Sequence, residues 1–264
     1  VGLRGLPEVR HRGSTNIMET KIIDGKKLRD EILAKVKREV ASLNFQPVFC
    51  DVLVGEDPAS VQYVQMKARM AKEVGIIFHR ANFPAIIKTA ELIKEIKVLN
   101  KIKNICGIII QLPLPEHIDK QAALDSIDPK LDVDCLGQAA SQKFYSYNST
   151  ALCFPAALAC VAILNSLNLD LTEKKIALLG QGMLVGKPTA ALLKSMGLNP
   201  IIISSETENK EKIIKEADII ISGIGKGKYI TGNMIKEGAV VIDAGTSETG
   251  SSPADGGVKI VGDV

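Results

Sequence analysis

Apolar and polar positions follow two different periods along the chain. Leu28, Ile32, Leu33, Val36 and Val40 recur at helical spacing, and "PVFCDVLVG" next predicts a buried strand. Further along, "GIIFHRANF" predicts a strand, "TAELIKEIKVLNK" a helix, and "ICGIIIQLPLP" a strand that runs into a loop stiffened by prolines. Strands that alternate with helices at this spacing predict a mostly parallel sheet with both faces covered.

A second series of elements begins near residue 172, after a predicted helix around residues 155–167. It reads "KKIALLG" (strand), "QGMLVGKP" (glycine-rich turn), "TAALLKSMG" (helix), "NPIIIS" (strand), "NKEKIIKEA" (helix), "DIIISGIG" and "AVVIDAG" (strands). This order is typical of a Rossmann-like, doubly wound dinucleotide-binding fold. We therefore predict an α/β protein with two domains, residues 18–150 and 151–264, the second including its linking helix, and a cleft between them.

The segment "DPASVQYVQMKARMAKEVG" predicts a helix that begins behind the cap residue Asp57 and ends at Gly75. Ser60, Tyr63 and Lys67 fall at positions i, i+3 and i+7, so three polar side chains lie along one helical face. A surface helix that exposes a tyrosine and a lysine to water has the same pattern. The helix pattern alone does not distinguish a functional site from an ordinary solvent-exposed face, so the other motifs of the chain are needed to do so.

The composition is that of a soluble globular protein, with 264 residues, 46% hydrophobic and 24% charged. The formal net charge is only +3, and residues 1–17 carry three arginines against one glutamate. The nearly neutral remainder argues against a nucleic-acid-binding protein. Residues 1–17 precede Met18 and lack the apolar core of a signal peptide, so we interpret them as an upstream segment outside the fold.

Cysteine usage and hydropathy indicate a cytoplasmic protein without a metal site or a membrane span. The five cysteines form no CxxC pair and the three histidines are scattered, which fits a reducing compartment. The longest apolar run, residues 156–164, is less than half of the roughly 20 residues that a membrane span needs. Asp128, Asp132 and Asp134 in "DPKLDVDCLG" have the wrong spacing for a calcium loop, so we interpret them as an acidic turn.

Gly180, Gly182 and Gly186 stand between a predicted strand and a predicted helix. Glycines in that place let backbone N–H groups approach a pyrophosphate near a helix N-terminus. The spacing G-x-G-x-x-x-G is one residue longer than the usual fingerprint, so the motif alone is weak. Its strand–turn–helix context favours a nucleotide site over a purely structural turn.

Two strand ends offer further polar candidates. The segment "IIISSETEN" places Ser205 and Glu206 where a dinucleotide fold meets the adenosine ribose, and no Lys or Arg follows before Lys210. An acid there suits a free 2′-hydroxyl and therefore favours NAD over NADP, although an ordinary solvated loop would look the same. Gln111 ends the strand of "IIIQLPLP", at the edge where parallel sheets bind ligands, but a surface glutamine is the simpler alternative.

A Tyr-x-x-x-Lys pair with a glycine-rich turn first suggests a short-chain dehydrogenase, but in that family the turn precedes the pair. The chain instead resembles the bifunctional methylenetetrahydrofolate dehydrogenase/cyclohydrolase family. Its successive motifs are "VGEDPASVQYVQMKARMAKEVGI", "GIIIQLPLP", "DVD", "LVGKP", "ADIIISGIGK", "GAVVIDAGT" and "IVGDV". Seven motifs in order are specific, and the resemblance covers essentially everything after Met18.

The resemblance implies a role for each matching residue. It makes Lys67 the catalytic lysine, Tyr63 the residue that orients and stacks on the folate, Gln111 the partner of the lysine, and Asp134 the acid that holds the pterin. Ser60, Leu112 and Pro113 complete the implied substrate site. The implied cofactor-binding residues are Gly180, Gln181, Gly182, Leu184, Val185, Gly186, Ser205, Glu206, Gly223, Ile224 and Gly225.

The implied reactions are hydride transfer from 5,10-methylenetetrahydrofolate to NAD or NADP, then hydrolysis of the methenyl product to 10-formyltetrahydrofolate. A partly desolvated lysine can transfer a proton near neutral pH, and as an ammonium it would stabilise developing negative charge. Tetrahydrofolate derivatives are the implied ligands, and the resemblance implies a homodimer.

The chain also departs from the family's pattern. Cys135 stands where a glycine is usual, Ala140 and Gln142 replace an Asn and a Gly, Leu152 and Phe154 alter a Pro-Cys-Thr-Pro motif, and Gln181-Gly182 replaces Arg-Ser. The chain ends at "VGDV", where the family continues into a loop and a last helix, so we expect a weakened folate site. The alternative is a catalytically silent nucleotide-binding relative that has lost the folate site.

Overall fold

Three parallel strands form the centre of the first domain. The computed structural model describes residues 20–245, 247–249 and 259–261, so the expectations about residues 1–17 and the chain end beyond 261 lie outside the described residues. The elements are α1 (Gly25–Ala41), β1 (Val48–Val54), α2 (Pro58–Val74), β2 (Ile77–Phe83), α3 (Thr89–Leu99) and β3 (Ile105–Ile110). The strand order is β2-β1-β3, with both pairings parallel. The predicted elements of this domain are confirmed.

Two short helices follow β3 that the sequence pattern does not predict. They are α4 (Lys120–Leu124) and α5 (Gln138–Tyr145), with 5 and 8 residues, and neither is long enough to show a helical period clearly. The Asp119 side chain caps α4 by accepting a hydrogen bond from the backbone N–H of Ala122. The predicted linking helix is present as α6 (Pro155–Ser166).

The second domain contains a four-stranded parallel sheet of order β5-β4-β6-β7. Its elements are β4 (Ile176–Leu179), α7 (Gly186–Ser195), β5 (Ile201–Ile203), α8 (Lys210–Glu216), β6 (Ile219–Ser222), a 3-10 helix (Gly232–Met234) and β7 (Val240–Asp243). Beyond it, β8 (Ser247–Thr249) and β9 (Lys259–Val261) form a separate antiparallel pair. Strand order reverses at β4, since β5 lies on one side of it and β6 on the other, as in doubly wound folds.

Each sheet has its own apolar core, and the two domains touch through α7 and through the linking helix α6, whose Ala157 is buried in the first core. The first core is built on β1, β3 and α3, and the second on the face of β4 and β6 that packs against α6 and α7. Ala191 and Leu192 of α7 pack against the first core, which joins the domains. The predicted two-domain α/β fold is confirmed. Among the described residues, no helix is both long and apolar enough to cross a membrane.

Candidate active site

The Lys67 side chain crosses from α2 to the strands of the first sheet. Asp57 caps the helix by accepting a hydrogen bond from the Ser60 backbone N–H at 2.8 Å, and Gly75 ends it with a φ of 87°. The buried residues Val64 and Ala71 hold the helix against the core. From this fixed position Lys67 reaches two acceptors, so the residue is not a freely solvated surface lysine.

The first acceptor is the glutamine predicted from its place at a strand end. Lys67 Nζ donates to Gln111 Oε1 at 2.7 Å. Gln111 directly follows β3, and its backbone N–H donates to the carbonyl of Val52 at 2.8 Å. Its amide group donates to the Leu112 carbonyl at 3.3 Å, which turns the amide oxygen towards the lysine. Main chain and side chain of Gln111 are therefore both fixed, and the oxygen is available to Lys67.

The second acceptor, Asp51, is a residue that the sequence analysis missed. Lys67 Nζ donates to Asp51 Oδ2 at 2.9 Å, and the Asp51 side chain is 0% exposed. The other oxygen, Oδ1, has no hydrogen-bond partner. Burial raises the pKa of Asp51, while the hydrogen bond and charge of Lys67 and the charge of Arg80 oppose that rise. A charged residue inside "VFCDVLV", an otherwise apolar strand, was the signal that could have revealed it.

Asp134, in the acidic turn, is partly buried and interacts electrostatically with Lys67. Burial raises its pKa to about 6, against the attraction of Lys67, and repulsion from Asp132 and Asp51 adds to the rise. Asp132, by contrast, is buried and accepts a hydrogen bond from the Gly137 backbone N–H at 2.7 Å. Its carboxylate therefore stabilises the local turn between residues 132 and 137. The described residues form no cluster of His, Cys, Asp or Glu suited to a metal ion.

The remaining predicted substrate-binding residues differ in their exposure and in their contacts. Tyr63, one turn before Lys67 on α2, is 43% exposed and presents its ring to solvent. Ser60 is buried, and its side chain bonds to Asp57 as part of the helix cap. Leu112 packs against the first core, whereas Pro113 is exposed behind a cis peptide bond. Their roles towards a substrate stay predictions.

We expect Asp134→Asn to stabilise the protein at pH 7. The pKa of the Asp134 carboxyl is about 6 in the folded chain and returns to its ordinary value of 3.8 on unfolding. The folded chain binds the proton more tightly between these values, so its stability falls as pH rises through this window. Asparagine cannot ionise, so the variant should gain on the order of 2 kcal/mol in free energy of unfolding at pH 7.

Urea unfolding at pH 7 and at pH 4 measures this difference. The gain should nearly disappear at pH 4, where the parent carboxyl is protonated in the folded chain. Asp128→Asn, in the exposed part of the same turn, is the matched control and should change little at either pH. An Asp134→Asn variant that was less stable than the parent at pH 7 would contradict the raised pKa.

The glycine-rich turn of the second domain folds back tightly on itself. A Cβ added to Gly186 would lie 2.1 Å from the carbonyl oxygen of Gly180, and one added to Gly180 would lie 3.0 Å from that of Gly223. Two loops, after β4 and after β6, therefore touch through glycines at the point where strand order reverses. Helix α7 starts at Gly186 itself, three residues earlier than predicted, so its N-terminus opens directly into this turn.

The other predicted cofactor residues lie on exposed loops around this turn. Gln181, Gly182 and Leu184 are exposed within it, and Val185 is partly buried. Ser205 and Glu206 are exposed after β5, in a turn closed by a 2.9 Å hydrogen bond from the Ser204 N–H to Thr207 Oγ1. Ile224 and Gly225 are exposed after β6. The predicted cofactor-binding residues therefore lie at the carboxyl end of the second sheet. Lys67 and its two acceptors lie at the first sheet.

The segment that departs from the family pattern packs into a cluster of aromatic rings. The Phe154 ring lies 5.0 Å from Phe144 and 5.8 Å from Tyr145, measured between ring centroids. Lys187, the second residue of α7, places its ammonium 4.9 Å from the centroid of Tyr145. Cys135 is buried with a φ of 56°, a conformation that glycine adopts without strain. The ring of Phe154 thus packs against Tyr145, and Tyr145 contacts Lys187 of the second domain.

Comparison with known sequences identifies both domains. The family "Tetrahydrofolate dehydrogenase/cyclohydrolase, catalytic domain" matches residues 23–134, and its "NAD(P)-binding domain" matches residues 153–264. The bifunctional protein FolD of Moorella thermoacetica is 40% identical over 257 residues, which cover 94% of this chain and 87% of that protein. FolD of Enterococcus faecalis is 35% identical over 247 residues, with coverage of 92% and 85%.

Solved structures give the same result for the fold. FolD from Campylobacter jejuni superposes with a TM-score of 0.83 at 30% identity, covering 91% of this chain and 84% of that one. The Trypanosoma brucei enzyme, complexed with NADP cofactor and an inhibitor, superposes with a TM-score of 0.85 at 29% identity, with coverage of 92% and 84%. These similarities extend over both domains of the chain.

Proposed function

The chain belongs to the tetrahydrofolate dehydrogenase/cyclohydrolase family, and from this premise we propose which of its residues serve each reaction. It is a bifunctional enzyme that oxidises 5,10-methylenetetrahydrofolate to the 5,10-methenyl compound with a nicotinamide cofactor. It then hydrolyses the methenyl compound to 10-formyltetrahydrofolate. The alternative of a silent nucleotide-binding relative is not favoured, because both domains match the family.

The observation that carries the proposal is the fixed position of the Lys67 nitrogen. Gln111 Oε1 and Asp51 Oδ2 hold it from the side of the sheet, at 2.7 and 2.9 Å. Its side chain is still 27% exposed, so the nitrogen can also meet a substrate. The half-exposed Tyr63 ring on the same helical face offers a flat surface for stacking.

In the hydrolytic step, water adds to the methenyl carbon and one proton must leave. Lys67 takes a proton from the attacking water as the new C–O bond forms. The bond between that carbon and N5 then breaks, N5 takes up a proton and the hydroxyl loses one, so the carbon becomes the formyl group on N10 and one proton is released overall. Asp134 accepts hydrogen bonds from the N–H groups of the pterin, since a carboxylate with a pKa of about 6 is mostly ionised at pH 7. Tyr63 holds the folate ring in the orientation that brings the methenyl carbon to Lys67.

The dinucleotide turn fits the cofactor that the dehydrogenase reaction needs. At Gly180, Gly186 and Gly223 a Cβ would clash with neighbouring backbone or with Val185, so glycine is what lets this turn fold tightly. The α7 N-terminus at the turn supplies backbone N–H groups for an anionic pyrophosphate. The bound nicotinamide supplies a hydride acceptor. The protein residues bind and orient both reactants, and a nicotinamide cofactor of either kind satisfies this arrangement.

The direct test follows absorbance of the methenyl compound with purified protein. Methylenetetrahydrofolate with NAD or NADP should produce the methenyl absorbance, and methenyltetrahydrofolate alone should lose it faster than buffer does. Failure of both reactions in a folded, dinucleotide-binding protein would favour the silent relative. Retention of only one would separate the two activities.

We expect NAD to be used better than NADP, by several-fold in kcat/KM. Glu206 lies exposed after β5, where its charge would repel the 2′-phosphate of NADP. Lys187, a candidate cation for that phosphate, is directed to the Tyr145 ring instead. Glu206→Gln should reduce the ratio of kcat/KM for NAD to that for NADP, with little change in kcat/KM for NAD. Added salt should reduce the same ratio in the parent protein, because exposed charges are screened.

Steady-state kinetics with both cofactors at two salt concentrations measures this preference. Glu208→Gln, also exposed but two residues farther from β5, is the matched control. Equal or better use of NADP by the parent would contradict the prediction. Lys210, the first residue of α8, would then be the next cation to replace.

We also propose that the enzyme is a homodimer and that it works in the cytoplasm. The family resemblance supports the dimer, and five cysteines without disulfide bonds support a reducing compartment. Light scattering coupled to size-exclusion chromatography measures the mass directly. A monomer at micromolar concentration would exclude the dimer.

A further inference from the structure

Asp51 is a buried carboxylate at the centre of a parallel sheet. It is the fourth residue of β1, in register with Arg80 on β2 and Ile109 on β3. Its side chain has no exposed surface, and it contacts the Lys67 ammonium from α2 at 2.9 Å. The charged groups that act on it are Lys67 from the helix above and Arg80 from the neighbouring strand, both cationic, and the Asp134 carboxylate, which it repels.

This carboxylate is a poor choice for stability alone. Its neighbours Cys50 and Val52 are buried apolar residues, and a valine at position 51 would continue that strand. Burying a charge costs free energy that an ion pair recovers only when every hydrogen bond is satisfied, yet Oδ1 has no partner. The placement of Asp51 is therefore better explained by its effect on Lys67 than by the fold.

The geometry at Lys67 Nζ shows what that effect is. An amine nitrogen has three positions besides its bond to carbon, each occupied by a proton or by the lone pair. Asp51 and Gln111 each accept one N–H on the sheet side. The third position is left for a substrate, which would meet it as a donor in the ammonium and as a lone pair in the neutral amine.

We propose that Asp51 is a positioning residue that acts through Lys67, directing the third position of its nitrogen into the cleft and stabilising its ammonium over the neutral amine. Gln111 only orients the Lys67 nitrogen, because an amide carries no net charge. Asp51 both orients the nitrogen and stabilises its positive charge. The catalytic part of this inference rests on the proposed function, whereas the effect on the lysine itself does not.

Asp51 thereby assists the proton exchange of the hydrolytic step. When Lys67 takes a proton from the attacking water, a positive charge forms 2.9 Å from a carboxylate that is already in place. The proton then returns to solvent and the pair is restored. In this proton transfer only water and Lys67 change their protonation, while the Asp51 carboxylate stays ionised.

The first test measures the protonation of Lys67 without any turnover. Only a neutral amine reacts with an acylating reagent, so the rate of Lys67 acylation against pH, followed by peptide mass spectrometry, reports its titration. Asp51→Asn should move the midpoint of this rate profile to lower pH, because the ammonium loses the carboxylate that pairs with it. Lys72 lies in the last turn of α2 and serves as an internal reference whose midpoint should not move.

Two further variants separate the charge from a structural effect. Asp132→Asn removes another buried carboxylate of the same domain that binds a backbone N–H and not Lys67, so the Lys67 midpoint should stay in place. Asp51→Val removes the charge without leaving a buried polar group, so it should shift the midpoint as Asp51→Asn does, even if the latter folds poorly. An unchanged midpoint in Asp51→Val, or an equal shift in Asp132→Asn, would overturn the proposal.

The second test is the pH profile of methenyl hydrolysis. The limb that reports Lys67 should move to lower pH in Asp51→Val, and kcat should fall more than KM rises, because substrate contacts are kept. If the pH profile of acylation shifts in Asp51→Val but the pH profile of hydrolysis does not, Asp51 affects the protonation of Lys67 and plays no part in catalysis. An enzyme that shows no hydrolysis at all would remove the hydrolytic half of the proposed function, and the acylation result would still decide the inference.

Discussion

Lys67→Met should lower the rate of methenyl hydrolysis by at least about 100-fold. Methionine keeps the length and the apolar stem of lysine and removes its charge and its donors. Gln111 and Asp51 then lose the proton donor that now lies 2.7 and 2.9 Å from them. Dinucleotide affinity should be unchanged, because the glycine-rich turn belongs to the other domain.

The same substitution also has a cost in stability that the sequence alone does not show. It leaves Asp51 buried without its cation, and an unpaired buried charge costs several kcal/mol or binds a proton instead. The double variant Lys67→Met/Asp51→Val removes both charges and should recover the stability without recovering the activity. Thermal unfolding and single-turnover hydrolysis measure the two effects. Parental hydrolysis by either variant would disprove the catalytic role of Lys67.

Gly186→Ala should weaken dinucleotide binding by a factor of ten or more and lower the melting temperature. The new Cβ would lie 2.1 Å from the Gly180 carbonyl oxygen and 2.7 Å from its carbonyl carbon, and both are backbone atoms. The turn must open to accommodate it, which displaces the N–H groups at the start of α7. Calorimetric titration with NAD and thermal unfolding record the two losses.

Two other glycines of the same domain provide controls for this prediction. A Cβ on Gly232, in the 3-10 helix, meets nothing within 4 Å, so Gly232→Ala should leave affinity and stability unchanged. Gly182 is equally open but lies within the turn, so Gly182→Ala should preserve stability and report only on ligand approach. Parental NAD affinity in Gly186→Ala would mean that the tight turn is not the cofactor site.

The sequence predicted the order of the long elements and the two sheets, because each has a clear hydrophobic period or a capping residue. The family resemblance also placed Lys67 and Gln111 in one site, although 44 positions separate them. The residues alone offered Gln111 only as a strand-end candidate, with a surface glutamine as the alternative. The short helices α4 and α5 were missed, because each is defined by its cap and its packing rather than by a period.

Asp51 could not be predicted in the same way. Its place in β1 is fixed by the strand pattern, but its contact depends on the height at which α2 crosses the sheet and on the reach of one long side chain. The raised pKa of Asp134 has a similar origin, since it arises from burial by elements distant in the chain. Such properties are set by tertiary packing and not by local spacing.

The contact of Lys187 with Tyr145 links the two halves of the enzyme energetically. Lys187 follows Gly186 in the cofactor turn, and Tyr145 ends α5 on the folate side. If a bound dinucleotide strengthens or weakens this cation–ring contact, folate affinity changes by some factor, and folate must change dinucleotide affinity by that same factor. Each ligand's affinity then depends in part on one side-chain contact that is remote from the carbon that is oxidised.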